Sequence, residues 1–331
     1  MTGELPRELA DGVERLLAGI SVRDLARASA ELTERYREKR ERRAPVARTQ
    51  TDIVAYLAAR MPATYAAISA ALEAVRELRP DWSPRTLLDL GAGPGTATWS
   101  AASVWPSLTK ATAVEAEGRM IETGQELVRS AGLAVVREAS WTRGSVTEPA
   151  PGGPYDLVVM AYVLGELDGA SRDRAVERAW EATAAPDGLT VVVEPGTPEG
   201  YARVMRAREL LIASGGFVTA PCPHDEPCPL GGQDWCHMAV RLARTATHRA
   251  AKGGALGHED EKFSYVAISR GVTARAGSRV LRHPQVRPRL IHLELCMPDG
   301  VRSVAVTKSD AAAFRQARKV RWGESFDYTA S

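Results

Sequence analysis

Three closely spaced glycines are the first residues of the sequence that suggest a chemistry. The segment LLDLGAGPGTAT places Gly91, Gly93 and Gly95 between an apolar run and a helix-forming stretch. Glycine permits close approach of the backbone to a ligand, and the following helix N-terminus offers free N–H groups. Asp89 precedes the loop, and Glu115 ends the next apolar run, where an acid can accept hydrogen bonds from ribose hydroxyls. The pattern predicts a nucleotide-type cofactor site, the alternative being a glycine turn used only for packing.

The cysteines form the second candidate site. Three of them fall in the spacing C-x5-C-x7-C among four prolines, and the fourth follows after 59 intervening residues. Zinc sites normally pair their ligands as C-x2–4-C, whereas wide spacings suit an iron–sulfur cluster, which also takes four thiolates. His224 or His237 could replace a thiolate in a Cys3His site. Spacing alone leaves iron–sulfur and zinc both open, with unligated thiols as the remaining alternative. The candidate ligands are Cys222, Cys228, Cys236 and Cys296.

The elements that must position these residues alternate between strand and helix. Near-continuous Val/Leu runs separated by helical stretches indicate a parallel sheet covered on both faces. Another, weaker strand is predicted near Leu133–Arg137, and the segment Pro298-Asp299-Gly300 predicts a hairpin turn. The predicted strands are 86–90, 111–115, 155–164, 189–196, 262–270, 289–296 and 301–308, and the predicted helices are 96–104, 118–129, 172–184 and 199–213.

The first eighty residues are predicted to be helical. Ser21 is a candidate N-cap for a helix over Asp24–Arg43, and two further helices follow through TDIVAYLAARM and TYAAISAALEAVREL. We divide the chain into a helical region, a cofactor-binding core, a cysteine-rich metal-binding insertion, and the final strands of the sheet with a basic end. Their predicted bounds are 1–80, 81–215, 216–260 and 261–331.

The charge balance hides a basic end. The chain of 331 residues has 43 Lys+Arg against 41 Asp+Glu, but residues 270–321 carry twelve basic and three acidic side chains. Such a surface suits phosphate contacts, the alternative being a solvated basic face. No run of 18 apolar residues predicts a membrane span, and the N-terminus lacks a signal-peptide core. We therefore expect a soluble, cytoplasmic protein. The sequence does not determine the oligomeric state, for which a monomer is the expectation. The basic residues singled out are Arg275, Arg279, Arg282, Arg287, Arg289, Lys308, Arg315, Arg318, Lys319 and Arg321, with Trp322 beside them.

The strand, glycine loop, helix, strand and acid, in that order, resemble the class I S-adenosylmethionine-dependent methyltransferases. The resemblance implies an α/β Rossmann-like sheet and S-adenosylmethionine as the cofactor. Tyr162 and Glu166, at the carboxyl end of the strand predicted over 155–164, are expected to line the same cleft, and either could act on a substrate proton. The acid-or-Asn, Pro, Pro, aromatic motif of amino-methylating enzymes is missing, so the catalytic residue is unknown. The expected cofactor residues are Asp89, Gly91, Gly93, Gly95, Glu115 and Tyr162.

A second resemblance is carried by an ordered set of segments along the chain. The segments are YLAARMPATYAAISAAL, LLDLGAGPGTATW, AYVLGEL, VEPGTPEGY, PCPHDEPCPL, WCH, LELCMPDG and RKVRWGE. Together they resemble the ribosomal small-subunit methyltransferase-like family of bacteria and mitochondria. That resemblance implies assembly of the small ribosomal subunit and a [4Fe–4S] cluster on the four cysteines, with zinc as the alternative.

The expected function is that of an assembly factor that binds small-subunit rRNA, S-adenosylmethionine and the cluster, with methyl transfer possible. One alternative is an active rRNA methyltransferase with an unknown target base. Another is an inactive assembly factor that no longer binds the cofactor. A small-molecule methyltransferase would leave the basic end unexplained.

Overall fold

The computed structural model describes residues 3–37, 49–231, 233–252 and 256–327. Its N-terminal part is helical, as predicted. Ser21 Oγ accepts a hydrogen bond from Asp24 N at 3.1 Å, as an N-cap does. The predicted continuation of the second helix to Arg43 passes beyond the described residues. The elements are α1 (Arg7–Leu17), α2 (Val22–Arg37), α3 (Gln50–Ala55), a π-helical segment (Tyr56–Arg60) and α4 (Met61–Leu78).

A mixed eight-stranded sheet forms the centre of the molecule. The strands are β1 (Thr86–Leu90), β2 (Lys110–Glu115), β3 (Ser140–Arg143), β4 (Leu157–Ala161), β5 (Leu189–Pro195), β6 (Phe217–Ala220), β7 (Met238–Ala243) and β8 (His258–Ser269). Their order is β3-β2-β1-β4-β5-β8-β6, and β7 pairs with β8. The first five strands are mutually parallel, and β8 runs antiparallel between β5 and β6. The predicted parallel α/β sheet is therefore confirmed, with an antiparallel strand near one edge.

Helices cover both faces of this sheet. The remaining helices are α5 (Thr96–Val104), α6 (Gly118–Val128), α7 (Ala134–Arg137), α8 (Gly169–Glu181), α9 (Pro198–Ala213), α10 (Ala246–Lys252) and α11 (Ala311–Ala317). On one face, Leu72 of α4 and Ala101 of α5 belong to a buried cluster with alternate strand residues such as Val159. On the other face, Val176 of α8 and Leu211 of α9 belong to a second buried cluster. Because both faces are covered, the strands consist of continuous apolar runs.

In the parallel part of the sheet, two predicted strands differ from the structure. The weak strand predicted near Leu133–Arg137 is wrong: that segment contains the one-turn helix α7, which buries Val136. The strand that pairs with β2 is instead Ser140–Arg143. The strand predicted over 155–164 ends at Ala161, because Tyr162 adopts a left-handed φ of 59°.

The last strands form a second sheet. They are β9 (Arg279–Val280), β10 (Gln285–Arg287), β11 (Leu290–Met297) and β12 (Gly300–Thr307). β10, β11 and β12 pair in that order, β9 pairs with β11, and Met297 faces Gly300 across the predicted hairpin turn. The sequence analysis assigned all strands after residue 261 to the main sheet. That expectation is wrong for β9 to β12, because β8 alone of these later strands belongs to the main sheet. The second sheet has its own apolar core, to which Phe314 and Phe326 contribute.

Among the described residues, no helix has the length and hydropathy needed to cross a bilayer.

Candidate cofactor cleft and cysteine site

The glycine loop lies between the carboxyl end of β1 and the start of α5. Gly91, Gly93 and Gly95 have φ values of 72°, 54° and 86°, a region that residues with a Cβ rarely adopt. A Cβ on Gly91 would also lie 2.5 Å from a methyl carbon of Val163. The backbone N–H groups of Gly91 and Ala92 donate to the Val114 carbonyl oxygen at 2.9 and 3.1 Å. Glycine is therefore required here by backbone conformation and, at Gly91, by close packing as well.

The two predicted acids have different positions around this loop. Asp89 is 1% exposed, and its carboxylate accepts hydrogen bonds from Thr98 N and Thr98 Oγ1, both at 2.9 Å. Burial raises the pKa of Asp89 to about 7. Glu115 accepts a hydrogen bond from Gly93 N at 2.8 Å and another from Glu117 N at 2.9 Å. Burial raises the pKa of Glu115 as well. Glu115 thus contacts the loop directly, whereas Asp89 holds the first turn of α5 in place.

Tyr162 occupies a strained position at the carboxyl end of β4. It is the one non-glycine residue with a positive φ in the described part of the chain, and such strain is concentrated at functional sites. Its backbone N–H donates to the Val193 carbonyl oxygen at 2.8 Å, and its hydroxyl donates to Glu261 Oε1 at 3.3 Å. Burial raises the pKa of Tyr162 well above its ordinary value, and the negative charge of Glu261 is the second cause of this rise. Glu166 follows in a 3-10 turn (Leu164–Glu166).

Two aromatic residues that the sequence analysis did not single out lie against the loop. The hydroxyl of Tyr56 is 3.3 Å from Thr96 Oγ1 and 4.0 Å from the position of a Cβ on Gly93. Tyr56 is the first residue of the π-helical segment, and such distortions of a helix are frequent at functional sites. The ring of Trp141 packs 3.2 Å from the position of a Cβ on Gly95. The only available signal for Tyr56 was its place in a segment that carried the family resemblance; Trp141 had none, since its strand was misplaced.

The four thiols converge although they come from distant parts of the chain. Cys222 follows β6, Cys228 and Cys236 lie in the connection between β6 and β7, and Cys296 lies near the end of β11. The first three line one small cavity. Cys296 Sγ is 3.7 Å from His224 Nε2, and Ser264 Oγ on β8 donates to the Cys236 carbonyl oxygen at 2.8 Å.

Cys222 and Cys296 are buried, whereas Cys228 and Cys236 are half-buried. Burial, reinforced by the neighbouring thiols, raises the pKa of Cys236 well above its ordinary value and that of Cys296 to about 12. Burial raises the pKa of Cys222 above its ordinary value, and the nearby Arg208 offsets part of this rise. The cavity between the thiols is only about 10 Å³, roughly the space of one water molecule. Among the described residues, no three His, Cys, Asp or Glu side chains form a group that could hold a single metal ion.

Two buried arginines lie beside these thiols. Arg208 on α9 is 3% exposed and Arg279 on β9 is 2% exposed. Arg208 donates to the carbonyl oxygens of His224 and Glu226 at 2.8 and 2.7 Å, and it also hydrogen-bonds Cys222. The side chain of Arg279 donates to the backbone carbonyl oxygens of Pro221 and Gly323, both at 3.0 Å. Neither guanidinium has a carboxylate within ion-pair distance in the described part of the chain, so two buried positive charges face the thiol cluster.

Several donors around the thiols have no partner. Buried polar groups are nearly always hydrogen-bonded. The atoms without a partner among the described residues are Arg208 Nε, Arg279 Nη2, His237 Nε2, Tyr265 Oη and Trp322 Nε1. Tyr265 and His237 line the cavity itself. Cationic and hydrogen-bond-donating side chains therefore surround the thiols.

Fewer basic side chains of the C-terminal region are available for phosphate contacts than the sequence suggests. Arg275 pairs with Asp225, Arg282 pairs with Asp234, and Arg279 is buried beside the thiols. The exposed basic side chains in the described part of this region include Arg287, Arg289, Lys308, Arg318 and Lys319.

The strand order, the antiparallel strand between β5 and β6, and the glycine loop after β1 together define the class I methyltransferase fold. The chain belongs to the Rsm22 family: residues 50–327 match the family model described as "Mitochondrial small ribosomal subunit Rsm22".

Curated relatives agree with this assignment. The chain is 31% identical over 288 residues to human "Ribosome assembly protein METTL17, mitochondrial", which covers 81% of this chain and 61% of that protein. It is 24% identical over 347 residues to "Rsm22-cox11 tandem protein 2, mitochondrial" of Schizosaccharomyces pombe, covering 84% of this chain and 44% of that one. The chain therefore spans less than two thirds of either relative. Both relatives are named as mitochondrial proteins, so they do not support the expected cytoplasmic location.

Solved structures show more distant likenesses. A TehB-like S-adenosylmethionine-dependent methyltransferase from Corynebacterium glutamicum is 15% identical with a TM-score of 0.38, covering 62% of this chain and 88% of that one. The pyocyanin biosynthetic protein PhzM is 18% identical with a TM-score of 0.41, covering 67% of this chain and 58% of that one. These likenesses are too distant to bear on function.

Proposed function

We propose that this protein is an assembly factor of the small ribosomal subunit that binds its rRNA, S-adenosylmethionine and a [4Fe–4S] cluster. The observation that carries the proposal is the family match over residues 50–327, which includes the glycine loop and all four cysteines. A human relative is named as a ribosome assembly protein. The first test is binding of the purified protein to small-subunit rRNA over a range of salt concentrations. Affinity should fall as salt rises, because phosphate contacts release counterions; no binding at low salt would refute the proposal.

The cofactor cleft is formed by the glycine loop, Glu115, Tyr56 and Tyr162. Glu115 accepts two backbone hydrogen bonds beside the loop, and these contacts support its proposed role as the acceptor for the ribose hydroxyls of the cofactor. When bound, S-adenosylmethionine supplies an electrophilic methyl group. The aromatic rings of Tyr56 and Tyr162 would border the cofactor and exclude water.

Calorimetry with S-adenosylmethionine tests this part of the proposal. Glu115→Gln should weaken binding by roughly tenfold or more, since hydrogen bonds to a charged group contribute about 1.5–3 kcal/mol. Glu117→Gln is the matched control, because Glu117 offers only its backbone N–H to this network. If the folded wild type does not bind the cofactor, the inactive assembly factor is the better description.

The donor set at the cysteines fits an anionic cluster. A cluster held by four thiolates is anionic and its sulfur atoms accept hydrogen bonds. Arg208 and Arg279 would supply the compensating charge, and Tyr265 and His237 would donate hydrogen bonds. Since the cavity is only about 10 Å³, the thiol side chains must rotate outward around a cluster. A zinc tetrathiolate is the alternative, because it too is anionic.

The colour and metal content of anaerobically purified protein decide between these groups. A broad visible absorption band with matching iron and acid-labile sulfide supports the cluster, and a colourless protein with stoichiometric zinc refutes it. Cys228→Ser should remove the band and weaken rRNA binding. Unchanged rRNA affinity of a folded, cluster-free protein would show that the cluster has no role in binding.

Methyl transfer to rRNA is a second candidate function. It is favoured by the strained backbone of Tyr162 at the carboxyl end of β4. An assay with tritiated S-adenosylmethionine on immature small subunits tests it. Label in the rRNA that disappears with Tyr162→Phe would assign the tyrosine hydroxyl to the reaction; no label leaves the binding function alone.

A further inference from the structure

The second sheet has one apolar and one polar face. Along β11, Ile291, Leu293 and Leu295 point into the apolar core, while His292 and Glu294 alternate with them. Side chains directly opposite each other in an antiparallel pair share a face. Gln285 of β10 is opposite His292, and Ser303 of β12 is opposite Glu294, so these residues extend the polar face.

A cavity of about 240 Å³ lies on this polar face. Nothing in the cofactor cleft or the cysteine site uses it. The lining residues that matter for its chemistry are Arg282, His283, Gln285, Arg287, His292 and Glu294.

The lining chemistry distinguishes a nucleotide from a simple anion. Arg287 is an exposed guanidinium suited to a phosphate. His283 and His292 offer flat rings on which a base can stack. Glu294, by contrast, repels a bare anion, but it can accept hydrogen bonds from the donor edge of a base. A phosphate ion would satisfy only part of this set, whereas a nucleotide presents both an anionic group and donor edges.

Two residues that line the cavity contact the segment between β6 and β7, which carries Cys228 and Cys236, either directly or through Trp322. Arg282 pairs with Asp234, two residues before Cys236. The ring of His283 meets Trp322 edge-on at 4.9 Å, and Trp322 meets His237 at 4.8 Å. Arg282 therefore contacts the segment around Cys236 directly, and His283 does so through Trp322.

We propose that this cavity binds one unstacked nucleotide of single-stranded RNA. Arg287 contacts the phosphate, His283 and His292 stack on the base, and Glu294 accepts hydrogen bonds from its Watson–Crick edge. The two adjacent N–H donors of guanine match a carboxylate best. In an RNA duplex these edges are paired and out of reach, so a loop or a free end is the expected target. The inference deepens the proposed function and rests on it.

The test is fluorescence anisotropy of the full-length wild type and variants with a labelled single-stranded U-rich RNA carrying one central guanine. Arg287→Ala and His292→Ala should each weaken binding by about tenfold, the scale of one lost stacking or phosphate contact. Glu294→Gln should reduce the preference for guanine over adenine at the central position. Arg7→Ala is the control, since its side chain is 94% exposed and lies on α1. Thermal melting checks that each variant is folded.

The outcomes separate this inference from the proposed function. If the wild type binds small-subunit rRNA but the cavity variants bind the oligonucleotide as tightly as Arg7→Ala does, the cavity assignment is wrong and the function stands. Equal weakening for duplex RNA, or displacement of the oligonucleotide by inorganic phosphate alone, would reduce the site to a general anion surface. If the wild type binds no small-subunit rRNA, the proposed function itself is refuted.

Discussion

The buried carboxyl group of Asp89 makes a prediction about pH and stability. Its side chain is 1% exposed at the end of β1. Two effects oppose each other there: burial disfavours the charged form, whereas the two hydrogen bonds from Thr98 and the N-terminus of α5 favour it. Burial is the larger effect, and the pKa of Asp89 rises to about 7.

The sign of the pH dependence follows from this rise. A carboxyl group with a higher pKa in the folded than in the unfolded state takes up a proton on folding. Its contribution to the free energy of unfolding is complete below the unfolded pKa of about 4 and is lost as the pH rises through about 7. A shift of about 3 pKa units corresponds to at most about 4 kcal/mol.

Asp89→Asn isolates this contribution, because asparagine cannot ionise but its side-chain oxygen can still accept a hydrogen bond from Thr98. The free energy of unfolding, measured in urea between about pH 5 and about pH 8, should fall more steeply in the wild type than in the variant. Subtracting the two profiles removes the titration of all other groups. Thr98→Val, which deletes one of the hydrogen bonds that lower the pKa of Asp89, should extend the upper end of the sloping window to higher pH, while its lower end stays near the unfolded pKa.

A flat difference profile would refute this reasoning. It would mean that Asp89 stays ionised throughout, so that the Thr98 hydrogen bonds and the helix N-terminus outweigh burial. If the wild-type value minus the Asp89→Asn value rose with pH, the folded pKa of Asp89 would lie below the unfolded one, which would also refute the reasoning.

Two further predictions concern packing and charge. Gly124→Ala should destabilise the protein by about 1–3 kcal/mol, because a Cβ there would lie 2.2 Å from the ring of Trp141; thermal melting measures this, and Trp141→Leu in the same chain should recover part of the loss. Arg203→Met should cost about 3–5 kcal/mol in urea unfolding, because it leaves the carboxylate of Glu194, 1% exposed, without its ion-pair partner. Arg206→Met, on the same helix but in an exposed pair, should cost less than about 1 kcal/mol; equal losses would contradict the burial argument.

Much of the fold could be predicted from neighbouring residues. The bounds of β1 and α5 match the sequence-based assignment, because apolar runs and glycine turns act locally. The misplaced third strand is instructive: the β-branched pair in Ala134–Arg137 indicates a strand, yet Val136 is buried by a single helical turn. Pairing with β2 is a long-range choice, and it selected Ser140–Arg143.

Some residues of the candidate sites could also be predicted from local sequence, whereas others are brought there by long-range contacts. The glycines and Glu115 could be recognised because their order along the chain reflects the geometry of one strand–loop–helix–strand unit. The thiols could be recognised by residue type. By contrast, Tyr56 reaches the loop from a segment that precedes the sheet, and nothing in its local sequence predicts that contact.

The sequence by itself determined the parallel sheet, the glycine loop with its acid, and which cysteines to consider together. Only the tertiary structure decided that the last strands form a separate sheet with a polar cavity on one face. It also decided that Arg208 and Arg279 are buried without carboxylate partners beside the thiols. The physical reason is that backbone propensity and hydrophobic periodicity act over a few residues. Burial of a charge, in contrast, depends on what packs against it from distant parts of the chain.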